Sequence, residues 1–314
     1  MVLMKGKKVL VTGGAGFLGS HLCEGLLAAE ADVRVLDTFS SGRAGNLSGY
    51  PGSLEIFTGD ISDEGDVGRA AQGVDVIIHA AFPMPVRERS METKHIGAAL
   101  AGLFNLLKEA VAREALFVYF SSIAVYGDQR YIPVDEEHPC EPVTLYGAVK
   151  LAGEHFCRAL AKSPGLRYVI LRIADIYGPR NSRVSTPVKF LLQAMRKENI
   201  VVHGSGRQSR TYTYAGDLVD AVLKVIINPA AHGRIFNIAG DEAVSIYELA
   251  LAVREVTGGK VDIILAPGEP ADDRKLVIDG SKAKRILGFQ PRIKLAEGLS
   301  LTYRWLGNNP LYYG

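Results

Sequence analysis

Three side chains in this sequence have types and spacing suited to proton chemistry. Tyr146 and Lys150 stand four residues apart, and a serine pair, Ser121-Ser122, precedes them. On a helix, positions i and i+4 share one face. A free phenol titrates near 10, and a neighbouring ammonium favours its charged form. Tyr146 is therefore a candidate general base toward a substrate hydroxyl, with Ser122 hydrogen-bonding the same oxygen. Taken singly, the serines read equally well as a polar turn after a strand, and the Tyr/Lys pair as a surface contact. Their company decides between these readings.

That company begins at the glycine loop. Residues 7–20 read KKVLVTGGAGFLGS, with glycines at 13, 14, 16 and 19. Val9–Val11 form an apolar run expected of a strand buried on both faces, and Phe17–Ala29 has a helical pattern. Glycines between a strand and a helix allow a tight turn and close backbone approach to a pyrophosphate, which then meets the free N–H groups of the helix start. Asp37 closes the next strand, where a carboxylate binds ribose hydroxyls and repels a 2′-phosphate, so NAD is expected over NADP. Arg43, in the SSGR that follows, would soften that preference. With a nicotinamide cofactor, Tyr146 takes a hydroxyl proton while the carbon releases hydride, and Lys150 also holds the nicotinamide ribose.

Strand and helix patterns alternate through the first half: strands at 8–12, 32–37, 54–59, 75–80, 116–121 and 168–173, with helices at 91–112 and 144–162 among them. This predicts an α/β fold, a doubly wound parallel sheet of Rossmann type. Ser121-Ser122 then falls at a strand's C-terminal end, which lines the ligand crevice of such sheets. After residue 174 the rhythm changes to a helix near 187–198, strands at 234–239 and 261–265, and a helix at 245–256. The expected division is a dinucleotide-binding domain, 1–174, and a smaller C-terminal α/β substrate lobe, 175–314. The boundary is soft, because the chain can cross between the lobes more than once. A cleft between them is a natural substrate site.

Composition narrows the classes. The chain has 314 residues, 47% hydrophobic and 22% charged, with a net charge of +2. Acids and bases intermix, with no basic stripe to suggest nucleic acid. No apolar run is long enough to span a bilayer, and no signal-peptide pattern precedes the first strand. Three cysteines without metal spacing fit a reducing cytoplasm, and the seven histidines form no ligand motif. A cytoplasmic protein without a metal is expected.

On these residues the chain resembles the extended short-chain dehydrogenases/reductases, in their nucleotide-sugar epimerase/dehydratase branch. The resemblance spans nearly the whole chain: TGGAGFLGS at 12–20, LDTFSSGR at 36–43, GDISD at 59–63, IIHAA at 77–81, SSIAVYG at 121–127, YGAVKLAGE at 146–154, LRIADIYGPR at 171–180, GSGRQSRTYTYAGDL at 204–218, FNIAG at 236–240 and SKAKRILGFQP at 281–291. It implies an NAD site built from Gly13, Gly16, Phe17, Leu18, Gly19, Asp37, Ser41, Gly42, Asp60, Ile61, Ala80, Ala81 and Lys150, with Asp60 and Ile61 flanking the adenine. It also implies that Arg210 and Arg274 grip a nucleotide-sugar diphosphate, for which paired guanidinium donors are suited. A homodimer through the helices at 91–112 and 144–162 is implied as well.

The residues after the serines bear on the reaction. Branch members that eliminate water carry an Asp-Glu pair there, and decarboxylases of nucleotide glucuronates carry a glutamate. This chain has Ile123-Ala124, which neither donate nor accept a proton. The resemblance therefore favours 4-epimerisation of a UDP-hexose or UDP-uronate through a transient 4-keto sugar. A net-redox reductase or a dehydratase of the branch is an alternative, and a non-catalytic NAD-binding regulator is a third reading. Three positions depart from the branch pattern: Asp175 replaces an asparagine near the substrate phosphates, Ala99 replaces a polar residue of the 91–112 helix, and Arg210-Thr211-Tyr212 stands for the usual RDF or RDY. Arg87, in FPMPVRERS at 82–90, aligns loosely with an arginine that binds a sugar carboxylate in glucuronate epimerases.

Overall fold

The computed structural model describes residues 4–50, 54–82, 93–163, 165–181, 184–267 and 275–313. Arg87 and Arg274 lie outside these residues.

Along the chain the elements are β1 (Lys8–Thr12), α1 (Phe17–Ala28), β2 (Asp32–Asp37), β3 (Leu54–Thr58), α2 (Glu64–Ala70), β4 (Val76–His79), α3 (Thr93–Ala112), β5 (Leu116–Ser122), α4 (Leu145–Lys162), β6 (Arg167–Ile173) and β7 (Asp175–Tyr177). There follow α5 (Thr186–Met195), β8 (Ile200–His203), β9 (Ser209–Tyr214), α6 (Ala215–Ile227), β10 (Arg234–Ile238), β11 (Ala243–Ser245), α7 (Ile246–Val256), β12 (Ile263–Ala266), β13 (Lys275–Leu276), α8 (Ser281–Leu287) and α9 (Leu295–Asn308).

Seven strands form one parallel sheet in the order β10-β6-β5-β4-β1-β2-β3. Its central strands are mostly apolar because both faces are covered, the buried polar residues Thr12, His79, Ser121 and Arg172 excepted. Leu22 and Leu26 of α1 share one core with Leu218 and Val222 of α6 and Leu287 of α8. Val67 of α2, Leu103 and Leu107 of α3 and Cys157 of α4 fill the other face. From β1 the chain runs outward through β2 and β3, then returns to place β4 on β1's other side. That is the switch point, where ligands bind beyond the strand ends. Register brings Thr12 beside both Leu36 and His79, and Ser122 beside Ile173, so the loops following these strands share one crevice.

One segment sits elsewhere than its sequence position suggests. Residues 234–239 read as a strand of the smaller lobe, yet β10 pairs parallel with β6 at the edge of the large sheet, and α6 lies against α1. Gly25 of α1 allows this, since a Cβ there would stand 2.2 Å from Val219 Cγ1. The smaller lobe consists of β9 flanked by β7, β11 and β13, the parallel pair β8 and β12, and a core from Phe190, Leu249, Val253 and Leu299. Among the described residues, no helix is long and apolar enough to cross a membrane, and no cluster of three potential metal ligands occurs.

Candidate active site

The glycine loop forms a cradle at the end of β1. Gly13 adopts φ +71°, and a Cβ there would stand 2.8 Å from Ala81 Cα. A Cβ on Gly19 would stand 2.0 Å from Gly13 O. Both positions therefore require glycine, one for backbone conformation and space, the other for close helix packing. Gly16 caps α1 without a side-chain hydrogen bond, so the N–H groups of Phe17, Leu18 and Gly19 at the helix start have no intrahelical partners. They suit a pyrophosphate.

Asp37, 8% exposed, closes the cradle. Its Oδ2 accepts from Ala15 N at 2.9 Å and its Oδ1 from Phe39 N at 2.8 Å. A carboxylate has about four acceptor sites, so it retains capacity for ribose hydroxyls. Gly42 folds back so closely that its Cβ would meet Ala15 Cβ at 2.7 Å and Asp37 Oδ1 at 3.1 Å. Ser41 is exposed, while Ala80 and Ala81 are half-buried after β4. Asp60 is exposed, and its Oδ1 accepts from Ser62 N and Oγ at 2.8 and 2.9 Å. The Ile61 side chain is buried, and a Cβ on Gly102 of α3 would stand 2.4 Å from its Cγ1.

Beneath the cradle, His79 is fully enclosed, with Nδ1 3.1 Å from Thr12 Oγ1. Burial, reinforced by the Lys150 ammonium, pushes its imidazole down to about 3. Burial, and then Arg180, pushes His21 of α1 down to about 4. Both titrate near 6.5 when unfolded, so the unfolded chain binds more protons between these values. The stability they supply is present above about pH 6.5 and is lost as pH falls toward the folded values. Denaturant titrations at pH 7 and pH 5 should show a loss of about 1–2 kcal/mol from each histidine. His79→Asn should remove its share of that slope.

α4 carries Tyr146 and Lys150 and packs its start on the turn that follows Ser122. Thr144 caps the helix, its Oγ1 accepting from Gly147 N at 3.0 Å. Tyr146 and Lys150 then lie in its first two turns. Gly147 sets the approach: a Cβ there would meet Ala124 O at 2.5 Å and Pro142 Cβ at 2.9 Å. This glycine lets the helix start press against the Ile123–Val125 turn that follows Ser122. Gly153 repeats the device against β5, where a Cβ would stand 2.2 Å from Tyr119 Oη. Gly147→Ala should therefore shift Tyr146 relative to Ser122. We expect a stability loss of about 1–3 kcal/mol and a fall in turnover of about a hundredfold from misplacement, read by thermal melting and steady-state kinetics.

Lys150 is only 3% exposed. Its Nζ donates to Phe120 O at 2.7 Å and stands 5.8 Å from the Tyr146 ring centroid. Phe82, the first residue of the FPMPVRERS segment and given no role by the sequence, completes the group. Its ring lies 4.0 Å from Lys150 Nζ and meets the Tyr146 ring edge-on at 5.2 Å. It packs beside Ala99 and Val149. The position that the resemblance marks as lacking a polar group thus contributes to an apolar wall. Ser122 Oγ accepts from Ala124 N at 3.2 Å, an ordinary turn bond. Its neighbour Ser121 faces inward instead, donating to Glu154 Oε1 at 2.6 Å.

In the smaller lobe, Asp175 on β7 and Arg210 on β9 come together, Oδ2 to Nε 3.7 Å. The register sets Asp175 beside Tyr212. The negative charge introduced at 175 is thus offset by the arginine assigned to the diphosphate. Burial, and then Asp175, raises the Tyr212 phenol. An open hollow of about 600 Å³ lies beside this strand, lined by Ser205, Arg207, Ser209, Tyr247, Glu248 and Lys275 among others. None of Ser122, Tyr146 and Lys150 lines it.

The comparisons agree with this fold. Residues 9–239 match the NAD dependent epimerase/dehydratase family. The chain belongs to that family. A putative UDP-glucose 4-epimerase of Methanocaldococcus jannaschii is 30% identical over 96% of this chain and 99% of its own length. UDP-glucuronic acid decarboxylase 1 of Arabidopsis thaliana is 34% identical over 93% of this chain and 68% of its own length. The crystal structure of UDP-glucose 4-epimerase from Thermotoga maritima, with UDP-glucose, superposes with a TM-score of 0.88 at 28% identity, covering 96% of this chain and 99% of that one. The protein is an NAD-dependent enzyme of nucleotide-sugar modification. Relatives at similar identity divide between epimerases and decarboxylases, so overall similarity leaves the reaction open.

Proposed function

We propose that the protein is an NAD-dependent 4-epimerase of a UDP-activated hexose or uronate. The observation that carries this reading is the segment after Ser122. Ile123 and Ala124, the two residues that follow it, carry no carboxylate. The nearby buried carboxylate, Glu154, is held by Ser121 and Arg172, and Glu136 accepts from Asn237 N at 2.7 Å. Elimination or decarboxylation calls for a further acid or base. Epimerisation needs only the three groups present.

In this reading NAD supplies reversible hydride acceptance at the sugar's C4. Tyr146 takes the C4 hydroxyl proton, Ser122 hydrogen-bonds the same oxygen, and the buried Lys150 ammonium favours the phenolate. The 4-keto sugar turns within the pocket, and Tyr146 returns the proton after hydride reaches the other face. Arg210 is assigned to the diphosphate, with Asp175 fixing its guanidinium. Arg87 and Arg274 remain candidate ligands of a sugar carboxylate and of the diphosphate.

The test denatures purified protein to identify retained cofactor, then follows UDP-glucose, UDP-N-acetylglucosamine and UDP-glucuronate by NMR. A C4-inverted product without net NADH is expected. A decarboxylated or dehydrated product, or turnover only with added NADH, would overturn the reading. We also propose a homodimer through α3 and α4, whose exposed faces carry Ala101, Phe104, Leu145, Ala148 and Phe156. Sedimentation should give a dimer, and Phe104→Glu with Phe156→Glu a monomer.

A further inference from the structure

The adenosine end of the cofactor site holds an arginine that the reaction does not use. Arg43 lies six residues beyond Asp37, on the segment folded against the glycine loop, where its N–H donates to Ala15 O at 3.0 Å. An arginine near this carboxylate is the side chain that accommodates a 2′-phosphate. Here its guanidinium lies over the Tyr312 ring, 4.0 Å from the centroid. Tyr312 is fixed in turn. Its hydroxyl donates to Arg180 O at 3.0 Å and accepts from Asn46 Nδ2 at 3.2 Å, and Asn46 Nδ2 also donates to Ala15 O at 2.8 Å. Its ring meets Trp305 edge-on at 4.8 Å and Tyr313 at 5.1 Å, and Tyr313 donates to Asn181 O. A turn some 270 residues along the chain is thus tied to the segment that faces the cofactor's ribose.

We propose that Tyr312 is a positioning residue for cofactor choice: by holding Arg43 on its ring, it leaves Asp37 to act alone at the ribose 2′ position. A ring face attracts a guanidinium, and the hydroxyl's two bonds orient that face. Released from the ring, Arg43 is free to swing toward Asp37, where it would offset the carboxylate's repulsion of a 2′-phosphate and offer it donors. The inference rests on the cofactor site alone and stands apart from the sugar reaction.

The test measures NAD⁺ and NADP⁺ affinities of cofactor-stripped protein by titration calorimetry, with thermal melting to establish folding. Tyr312→Leu should raise NADP⁺ affinity relative to NAD⁺ by about fivefold to tenfold, the scale of one charge-assisted contact. Tyr312→Phe, which keeps the ring, should stay nearer the parent ratio. In an Arg43→Ala background, Tyr312→Leu should change nothing. An unchanged ratio in Tyr312→Leu, or the same change without Arg43, would overturn the proposal. Arg43→Ala alone gives an independent measurement should Tyr312→Leu fail to fold. It should alter NADP⁺ affinity less than about twofold, and a tenfold loss would show that the arginine already serves the 2′ position.

Discussion

Tyr146→Phe should lower kcat by about 10²- to 10⁴-fold, the usual contribution of a positioned general base, with little change in nucleotide-sugar KM or in retained NAD. The substitution keeps the ring that meets Phe82 edge-on and that lies 5.8 Å from Lys150 Nζ, and removes only the proton acceptor. An effect confined to kcat is the signature of a group used in the transition state and not in binding. Pre-steady-state mixing of the variant with substrate should show correspondingly slow NADH formation. A loss of less than tenfold would mean that another group takes the proton, and Ser122 would then be the first to replace.

The largest stability effect should come from Glu154→Gln. Glu154 and Arg172 form an ion pair with side chains 0% and 3% exposed, joined at 2.8 Å. A second bond runs from Arg172 Nε to Glu154 Oε1 at 3.0 Å, and the network continues through Arg172 Nη1 to Tyr126 Oη at 3.1 Å and from Tyr126 to Asn237 Oδ1 at 2.6 Å. With Ser121, which donates to Glu154, it joins α4, β5, β6 and β10 beside the candidate catalytic residues. Removing one charge strands the other in the interior, which costs about 3–5 kcal/mol. Replacing both residues together with Leu and Met should recover much of that loss. Equilibrium denaturation of the single and double variants would measure the difference. A single-variant loss below 1 kcal/mol would show that water reaches the pair. Ser121 shares the Glu154 carboxylate and adjoins Ser122, so turnover should also fall in the single variant.

Much of the scaffold was legible because its signals are local. A strand covered on both faces must be apolar along its length, and Val9–Val11, Ile77-Ile78 and Phe117–Phe120 read that way before any fold is known. The strands expected at 8–12 and 32–37 are β1 and β2, and the helix expected at 144–162 begins one residue later, at Leu145. The glycine loop was legible for the same reason, since its constraint is one of backbone conformation within a few residues. The placement of 234–239 was not. A short apolar strand states that it is buried but does not name its neighbour, and β10's neighbour, β6, lies about 60 residues earlier.

The candidate site divides in the same way. The sequence by itself determined which groups are available: a phenol and an ammonium at helical spacing, a serine at a strand end, an acid after the second strand, and no proton-transfer residue at 123 or 124. These are matters of residue type and short-range spacing. Only the tertiary structure decided how they meet. Gly147 lets α4 close on the Ser122 turn because one missing Cβ removes a collision with Ala124 O. Phe82 covers Lys150, Asp175 meets Arg210 across two strands, and Tyr312 holds Arg43 from the far end of the chain. Each depends on distances between segments remote in sequence, which packing fixes and which no local pattern encodes.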